Sequence, residues 1–457
     1  MTKTPEIRPA PGQFGPLSLA QTRAEIASDG LPALAALAAR LEARAKADPL
    51  HAVIAADFTP PRACEGPLAG LPIGVKDNID VAGFATTGGA PALAGNRPAQ
   101  DASVVARLRA AGAWVPAKLN MHELAFGVTS DNGGYGSVRN PFDLGRTAGG
   151  SSGGSGAAVG SGLVPAALGS DTGASVRIPA SFCGVAGLRP SSGRYPGDGV
   201  LNLSPTRDTI GVLAACVADI AEIDAVIVPE DATLPALPDR PLRLGLPADA
   251  LPGYCPTLEA TFRSALDRLV AAGLAEIIPL PAFDFDRWED EVGMPLVFNE
   301  TLAYWSTFLE ARGIAWADFA ASLSSPDVRA IFAAVPKLAA ETAGTYAEIL
   351  SGTRATLQAR FGAIFPNHGV DLVVMPTSPV QPPAEAEFSV LQIDGEARAT
   401  MPVVTRQTAL ATLTGQPSLT LPAGLDADGL PVGMMLEAPI GADRMLLAMA
   451  LRIEAAL

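Results

Sequence analysis

Between residues 31 and 120, short apolar runs alternate with amphipathic stretches, and this alternation constrains the fold more than any other feature. LPALAALAARLEARAKA (31–47) sets Leu and Ala on one face and Arg, Glu and Lys on the other, as a helix does. VIAADF (53–58) and the apolar start of LPIGVKDNIDVAG (71–83) read as strands. DASVVARLRAAG (101–112) reads as a helix with Asp101 as its N-cap and Gly112 as its stop, and AWVPAKLN (113–120) as the next strand. DLVVMP (371–376) is a further strand, and a last helix starts near residue 442. Strands alternating with helices predict an α/β fold with a mixed, mostly parallel central sheet flanked by helices. No internal repeat or clear linker divides the 457 residues, so a single large domain is expected.

Composition narrows the functional classes. Hydrophobic residues make up 48% of the chain and charged residues 17%, enough apolar content for a large core. Lys and Arg number 32 against 47 Asp and Glu, a net charge of −15 that disfavours nucleic acid and anionic membrane surfaces as partners. No run of 18 apolar residues occurs, and the polar, Pro-rich segment 1–12 lacks the apolar core of a secretory signal, so a cytoplasmic location is expected. Cys64, Cys183, Cys216 and Cys255 are scattered with no CxxC pair, which argues against a zinc site of that type. The chain has only three histidines, His51, His122 and His368.

Residues 126–156 are dense in Gly, Ser and Asn and too long for an ordinary connection, so the segment is expected to be functional. Its end, AGGSSGGSG (148–156), admits three readings. A phosphate-binding P-loop would need Lys then Ser or Thr after the last glycine, and none is there. The dinucleotide fingerprint fails at Val159, although Gly154, Gly156 and Gly160 fit a looser spacing. A nucleophile elbow, G-x-S-x-G, would make Ser152 the nucleophile of an α/β-hydrolase esterase, with His368 as the one downstream histidine. The preceding NPFDLGRTA is too polar for the strand that such an elbow needs.

The third reading needs no histidine. A lysine desolvated enough to lose its proton near neutrality can serve a serine nucleophile as base. Lys76, at the end of the apolar run Leu71 to Val75, suits that role, with a salt bridge to Asp77 as the structural alternative. GSDTGASVRIP (169–179) supplies the serine: in a tight turn of small residues, the amides of Thr172, Gly173, Ala174 and Ser175 can converge as an oxyanion hole while Ser175 attacks.

Together these segments resemble the amidase signature family of serine hydrolases. GPLAGLPIGVKDNIDVAG (66–83), GYGSVRNPFDLGRTAGGSSGGSGAAV (134–159), LGSDTGASVRIPASFCGVAGLRPSSG (168–193), DLVVMPTSP (371–379) and TGQPSLTLPAGLDADGLPVGMMLE (414–437) carry the likeness in order. The resemblance implies an amidase domain over 66–457, with its catalytic core at about 70–215 and an N-terminal helical segment, 1–65, packed on it. It implies a Ser–cis-Ser–Lys mechanism with Lys76 as base, Ser175 as nucleophile and Ser151, 24 residues upstream of Ser175, as the bridging serine on a cis peptide. Neither cofactor nor metal is required by such a mechanism. Ser152, Asp171 and Arg177 are supporting candidates: Ser152 to bond the lysine or the cis turn, the other two to form an ion pair that fixes the loop. Ala174 stands where most members have Gly, and would be strained if the backbone there required a positive φ. Cys183 reads as a small buried residue.

Within the family, NMHELAFG (120–127) and YPGDGVLNLSPTRDTIG (195–211) resemble members that hydrolyse indoleacetamide and mandelamide. Short members also include urethanases that cleave aryl carbamates and anilides. The expected substrate is therefore a small aryl or hydrophobic amide, with carbamates and esters as side activities. Residues 281–350 hold 11 of the 25 aromatic residues, which suits either an aryl-accepting pocket or lid, or plain helix packing. The glutaminase subunit of a tRNA-dependent amidotransferase is the related alternative and would require partner subunits. The chain's end at 457 leaves no room for the extra domain of allophanate hydrolases, and a monomer or homodimer is expected.

Overall fold

The computed structural model describes residues 15–27, 30–61 and 65–457. Cys64 and the segment 1–12, read above as lacking a secretory signal, lie outside the described residues. Among the described residues, eleven strands form one sheet: β1 (Val53–Ala56), β2 (Ile73–Lys76), β3 (Ala117–Leu119), β4 (Ala166–Asp171), β5 (Ala186–Arg189), β6 (Thr209–Ala214), β7 (Leu242–Pro247), β8 (Ala275–Leu280), β9 (Leu372–Pro376), β12 (Ser418–Leu425) and β13 (Pro431–Glu437). A separate hairpin pairs β10 (Val390–Ile393) with β11 (Glu396–Ala399). Across the sheet the order is β1-β3-β2-β4-β6-β5-β12-β13-β9-β7-β8.

The sheet is mixed, as expected. Its parallel pairs lie in two wings, β3–β2–β4 and β9–β7–β8. The middle, from β4 through β6, β5 and β12 to β9, is antiparallel, as is the edge pair β1–β3. Within the antiparallel middle, β12 and β13 are joined by a short connection (426–430) that turns the chain straight back, without a crossover helix.

Both faces of the sheet are covered. Among the described residues, seven α-helices, α1 (Leu19–Ala27), α2 (Leu31–Lys46), α3 (Ser103–Ala110), α4 (Gly153–Gly160), α5 (Arg177–Phe182), α6 (Val217–Ile227) and α7 (Pro256–Ala271), precede the aromatic-rich region. Along β4 and β6 successive side chains serve opposite layers: Leu168 and Val212 join the core beneath α3, α6 and α7, whereas Ala167 and Leu213 join the core beneath α2, α4 and α5. Strands buried on both faces read as continuous apolar runs, which is how β2, β4 and β6 look in the sequence.

Helix α3 starts without the expected Asp101 cap. Ala102 holds the N-cap position, while the Asp101 carboxylate accepts the Ala82 amide at 2.8 Å and pairs with Arg109 at 2.8 Å. A guanidinium within reach on the same helix competes for the carboxylate.

The glycines of α4 have a packing reason. A Cβ on Gly154 would lie 2.3 Å from the Asn120 carbonyl oxygen, and one on Gly156 would lie 2.9 Å from that of Pro179. The helix is wedged between the strand edge and α5 so tightly that only small residues fit.

The aromatic residues of 281–350 chiefly pack on one another. Trp316 stacks on Phe332 with ring centroids 4.4 Å apart, and Trp305 stacks on Phe319 at 5.3 Å. They join the long helices Met294–Glu310 and Pro326–Glu348. No helix among the described residues is long and apolar enough to cross a membrane.

Candidate active site

Three segments meet at one edge of the sheet. β2 and β4 are parallel neighbours with Val75 opposite Leu168, so their carboxyl ends bring Lys76 and Ser170 to the same edge. A turn over residues 172–176 leads from β4 into α5. The Gly/Ser segment arrives from the other side and enters α4 through the Gly150–Ser151 peptide, which is cis.

Lys76 lies at the centre. Its ammonium donates to Ser151 Oγ at 2.8 Å, to Ser170 Oγ at 2.9 Å and to the Ser170 carbonyl at 3.3 Å. Lys76 and Ser151 are fully buried. Burial lowers the lysine pKa to about 7, against the opposing pull of Asp171 and Asp208. A fully buried amine is cheaper to keep neutral than charged, so a free base is present near neutral pH. Asp77 is turned away from Lys76: it faces the Lys118 ammonium at 3.4 Å and accepts the amides of Thr87 and Gly89.

Ser175 ends the turn and lines a cavity of about 270 Å³ together with Thr172, Gly173 and Ala174. The Ser175 hydroxyl makes no hydrogen bond to another described residue, and neither do the backbone N–H groups of these four residues. The next amide, Val176, is already taken by Asp171 at 3.0 Å. The Ser175 carbonyl accepts the Ser152 amide at 3.2 Å, which ties the turn to the segment bearing Ser151. Donors that are unpaired beside a hydroxyl can receive an oxyanion that forms there.

Asp171 and Arg177 form a two-point ion pair, with Arg177 Nε 3.0 Å from one carboxylate oxygen and Nη2 3.0 Å from the other, both side chains fully buried. Burial pushes the Asp171 pKa up, but Arg177 and Arg189 outweigh it and hold the carboxyl at about 2. Arg177 also donates to the Gly173 carbonyl at 3.0 Å, so the pair braces the turn from within.

Ser152 does not reach the lysine. Its hydroxyl donates to the Ser170 carbonyl at 3.2 Å and accepts the Ser170 amide at 3.3 Å, fastening α4 to β4. It is fully buried, whereas His368 is exposed at the end of the helix Ile364–His368, and no hydrogen bond joins the two residues of the esterase reading. Ala174 is not among the residues with positive φ and packs against Val128, Ile178 and Phe182 without strain. Cys183 is buried, and burial pushes its thiol pKa up.

The cavity walls are mostly apolar: Phe126, Leu203, Met294, Val297, Ile331 and Met401. Their charged members are paired. Arg207 meets Glu289 at 2.8 Å, and Asp327 meets the His122 ring at 3.1 Å. Residues 281–350 thus reach the cavity through Glu289, Met294, Val297, Asp327 and Ile331, none of them aromatic. Sequence reasoning missed Ser170 and Asp208. Ser170 carried a signal, being a polar residue in phase with the buried Ala166 and Leu168; Asp208 carried none. Among the described residues, no group of three or more His, Cys, Asp or Glu is placed to hold a metal ion.

This sheet and this lysine–serine edge are those of an amide-hydrolysing enzyme. The chain belongs to the Amidase family, whose sequence model matches residues 18–447 and so carries the likeness back over α1 and α2. Mandelamide hydrolase of Pseudomonas putida is 39% identical over 413 residues, spanning 86% of this chain and 79% of that protein. Indoleacetamide hydrolase of Agrobacterium vitis is 35% identical over 395 residues, spanning 85% of this chain and 84% of its own. A solved amidase structure superposes with a TM-score of 0.81 at 30% identity, covering 96% of this chain and 100% of that one. A glutamyl-tRNA(Gln) amidotransferase subunit from Thermotoga maritima superposes with a TM-score of 0.75 at 26% identity, covering 95% of this chain and 93% of that one.

Proposed function

We propose that this amidase hydrolyses small arylacetamide-type amides through a Ser175–Ser151–Lys76 relay. The observation that carries the reading is the 2.8 Å contact between the buried Lys76 ammonium and Ser151 Oγ, beside a turn whose serine and free amides line one cavity. Neutral Lys76 takes the Ser151 proton as Ser151 takes that of Ser175. Ser175 Oγ forms a bond to the substrate carbonyl carbon, and the oxygen becomes an oxyanion facing the amides of residues 172–175. The proton returns through Ser151 to the leaving nitrogen as the C–N bond breaks. Water then repeats the relay to release the acid and restore Ser175.

The apolar walls around Ser175 favour an aryl acyl group over the polar side chain of glutamine. The names of the related mandelamide and indoleacetamide hydrolases point the same way. Aryl carbamates and esters present the same carbonyl to the same serine and are proposed as slower substrates. The relay runs within one chain, so a monomer or homodimer suffices, with α1 and α2 packed on the catalytic core.

Labelling with a fluorophosphonate tests the assignment. Ser175 Oγ bonds to phosphorus, fluoride leaves, and the proton passes to Lys76. Peptide mass spectrometry should find the label on Ser175 and lose it in Lys76→Ala, with phenylacetamide turnover lost in parallel. A label on Ser152, or undiminished labelling in folded Lys76→Ala, overturns the relay.

A further inference from the structure

Asp208 immediately precedes β6, and the pairing of Asp171 with Thr209 brings it beside Thr172, the first residue of the nucleophile turn. One of its carboxylate oxygens accepts the Thr172 hydroxyl. The other accepts the amides of Leu203 at 2.8 Å and Ser204 at 3.1 Å. Thr172 and Leu203 are both walls of the cavity that contains Ser175. We propose that Asp208 is a positioning residue, clamping the turn that presents the Ser175 hydroxyl and the four free amides to the opposite wall of the substrate cavity. The inference rests on the catalytic reading of Lys76, Ser151 and Ser175.

The clamp has a backing. Glu300, on the helix Met294–Glu310, accepts the Ser204 hydroxyl at 2.7 Å and both the amide (3.0 Å) and the hydroxyl (2.6 Å) of Thr206. Arg207, between Thr206 and Asp208, donates to the Gly293 carbonyl at 2.9 Å and to Thr412 Oγ1 at 3.0 Å. Leu203, Ser204, Thr206 and Arg207 are therefore each anchored, and Asp208 passes that rigidity to Thr172. Donors aimed at a developing oxyanion are useful only if they are held before the charge appears.

Charge adds a second effect. The titratable and charged groups that act on Asp208 or share its surroundings are Lys76 on β2, Asp171 on β4, Arg189 on β5, its neighbour Arg207, and Glu300 and Tyr304 on the helix Met294–Glu310. Burial pushes the Asp208 carboxyl up to about 6, its three hydrogen bonds restraining the rise. The negative charge of its ionised form favours the protonated lysine, raising the Lys76 pKa against the effect of burial. Removing that charge makes Lys76 a free base at lower pH.

The test is the second-order rate of fluorophosphonate labelling of Ser175 as a function of pH, with thermal unfolding as the check on folding. Asp208→Asn keeps one acceptor but loses the charge. It should slow labelling at the plateau about tenfold or more and move the acid limb down by roughly half a pH unit or more. Asp208→Glu keeps the charge but displaces it, so it should slow the plateau and leave the limb in place. Thr172→Val cuts the clamp from the other side and should also slow the plateau without moving the limb. Folded Asp208→Asn and Thr172→Val proteins with wild-type plateau and limb overturn the proposal. Lys76→Ala tells the two failures apart: if it labels like wild type, the relay itself fails, whereas if it is inert while the other variants are normal, only the clamp fails.

Discussion

Arg177 grips both carboxylate oxygens of Asp171 at 3.0 Å, and neither side chain is exposed to solvent. The pair closes the nucleophile turn on itself, because Asp171 also takes the Val176 amide and Arg177 the Gly173 carbonyl. Asp171→Asn leaves Arg177 and Arg189 buried beside a neutral group. We expect a loss of about 3–5 kcal/mol in urea unfolding, with fluorophosphonate labelling of Ser175 impaired in whatever folds. A loss within about 0.5 kcal/mol, the range of ordinary surface changes, would show that the pair does not brace the turn.

The same carboxyl makes stability depend on pH. Its folded pKa of about 2 lies below the unfolded value near 3.8. Its contribution is therefore fully present above pH 4 and lost as pH falls through 4 to 2, because the unfolded state then binds the proton first. The wild type should lose roughly 2 kcal/mol over that window from this group, and Asp171→Asn should lack that part of the acid-induced loss.

Glu437 runs the opposite way. Burial raises its pKa from 4.5 to about 7, although Arg177 lies 4.0 Å away and the Ser418 hydroxyl donates to it at 3.5 Å. A carboxyl with a raised folded pKa stabilises the fold while protonated, and that advantage is lost as pH rises from 4.5 through 7. Glu437→Gln should match the wild type in stability near pH 4 and exceed it by about 1–3 kcal/mol at pH 8. Equal stability curves at pH 8 would mean that the neighbouring guanidinium has compensated the buried charge.

Much of this was legible in the sequence. Helix α2 announced itself through its Leu stripe, and Lys76 through a polar residue at the end of an apolar run. Ser175 stood in a turn of small residues, where backbone amides can converge. The antiparallel middle of the sheet was not legible, because β4, β5 and β6 are apolar on both faces whatever their direction. Nor was the cavity wall, which draws Phe126, Val297, Ile331 and Met401 from segments far apart in the chain. The aromatic count of 281–350, which admitted either a pocket or helix packing, reflects packing for a simple reason: large rings release most free energy when buried against one another. Trp305 and Phe332 do this behind the wall. Asp208 could not be found without the β4–β6 register, since an Asp before a strand is ordinarily a turn residue.

The relay predicts a specific pH dependence. Lys76 acts as a base only when neutral, and burial holds its pKa at about 7. The rate constant kcat/KM for phenylacetamide should fall tenfold per pH unit below 7 and level off above it. Lys76→Ala should lower kcat by about a hundredfold or more. A flat profile between pH 5 and 9 would remove Lys76 from the relay.

The cavity walls predict which substrates a given change penalises. Val297 and Ile331 reach the cavity from the helices Met294–Glu310 and Pro326–Glu348 and touch neither Lys76 nor Ser151 by any hydrogen bond. Replacing Val297 by Phe puts extra volume where an aryl group would sit and leaves the relay intact. The KM for phenylacetamide should rise roughly tenfold or more, because steric exclusion from an apolar pocket is worth about 1–3 kcal/mol. Acetamide is small enough to reach Ser175 past the new ring, so its kcat/KM should change by less than about threefold by the same reasoning. Ile331→Ala enlarges the same wall and should relax selectivity toward bulkier acyl groups. If Val297→Phe slowed both amides equally, the cavity would not be the acyl site, and the aryl preference would have to come from elsewhere in the chain.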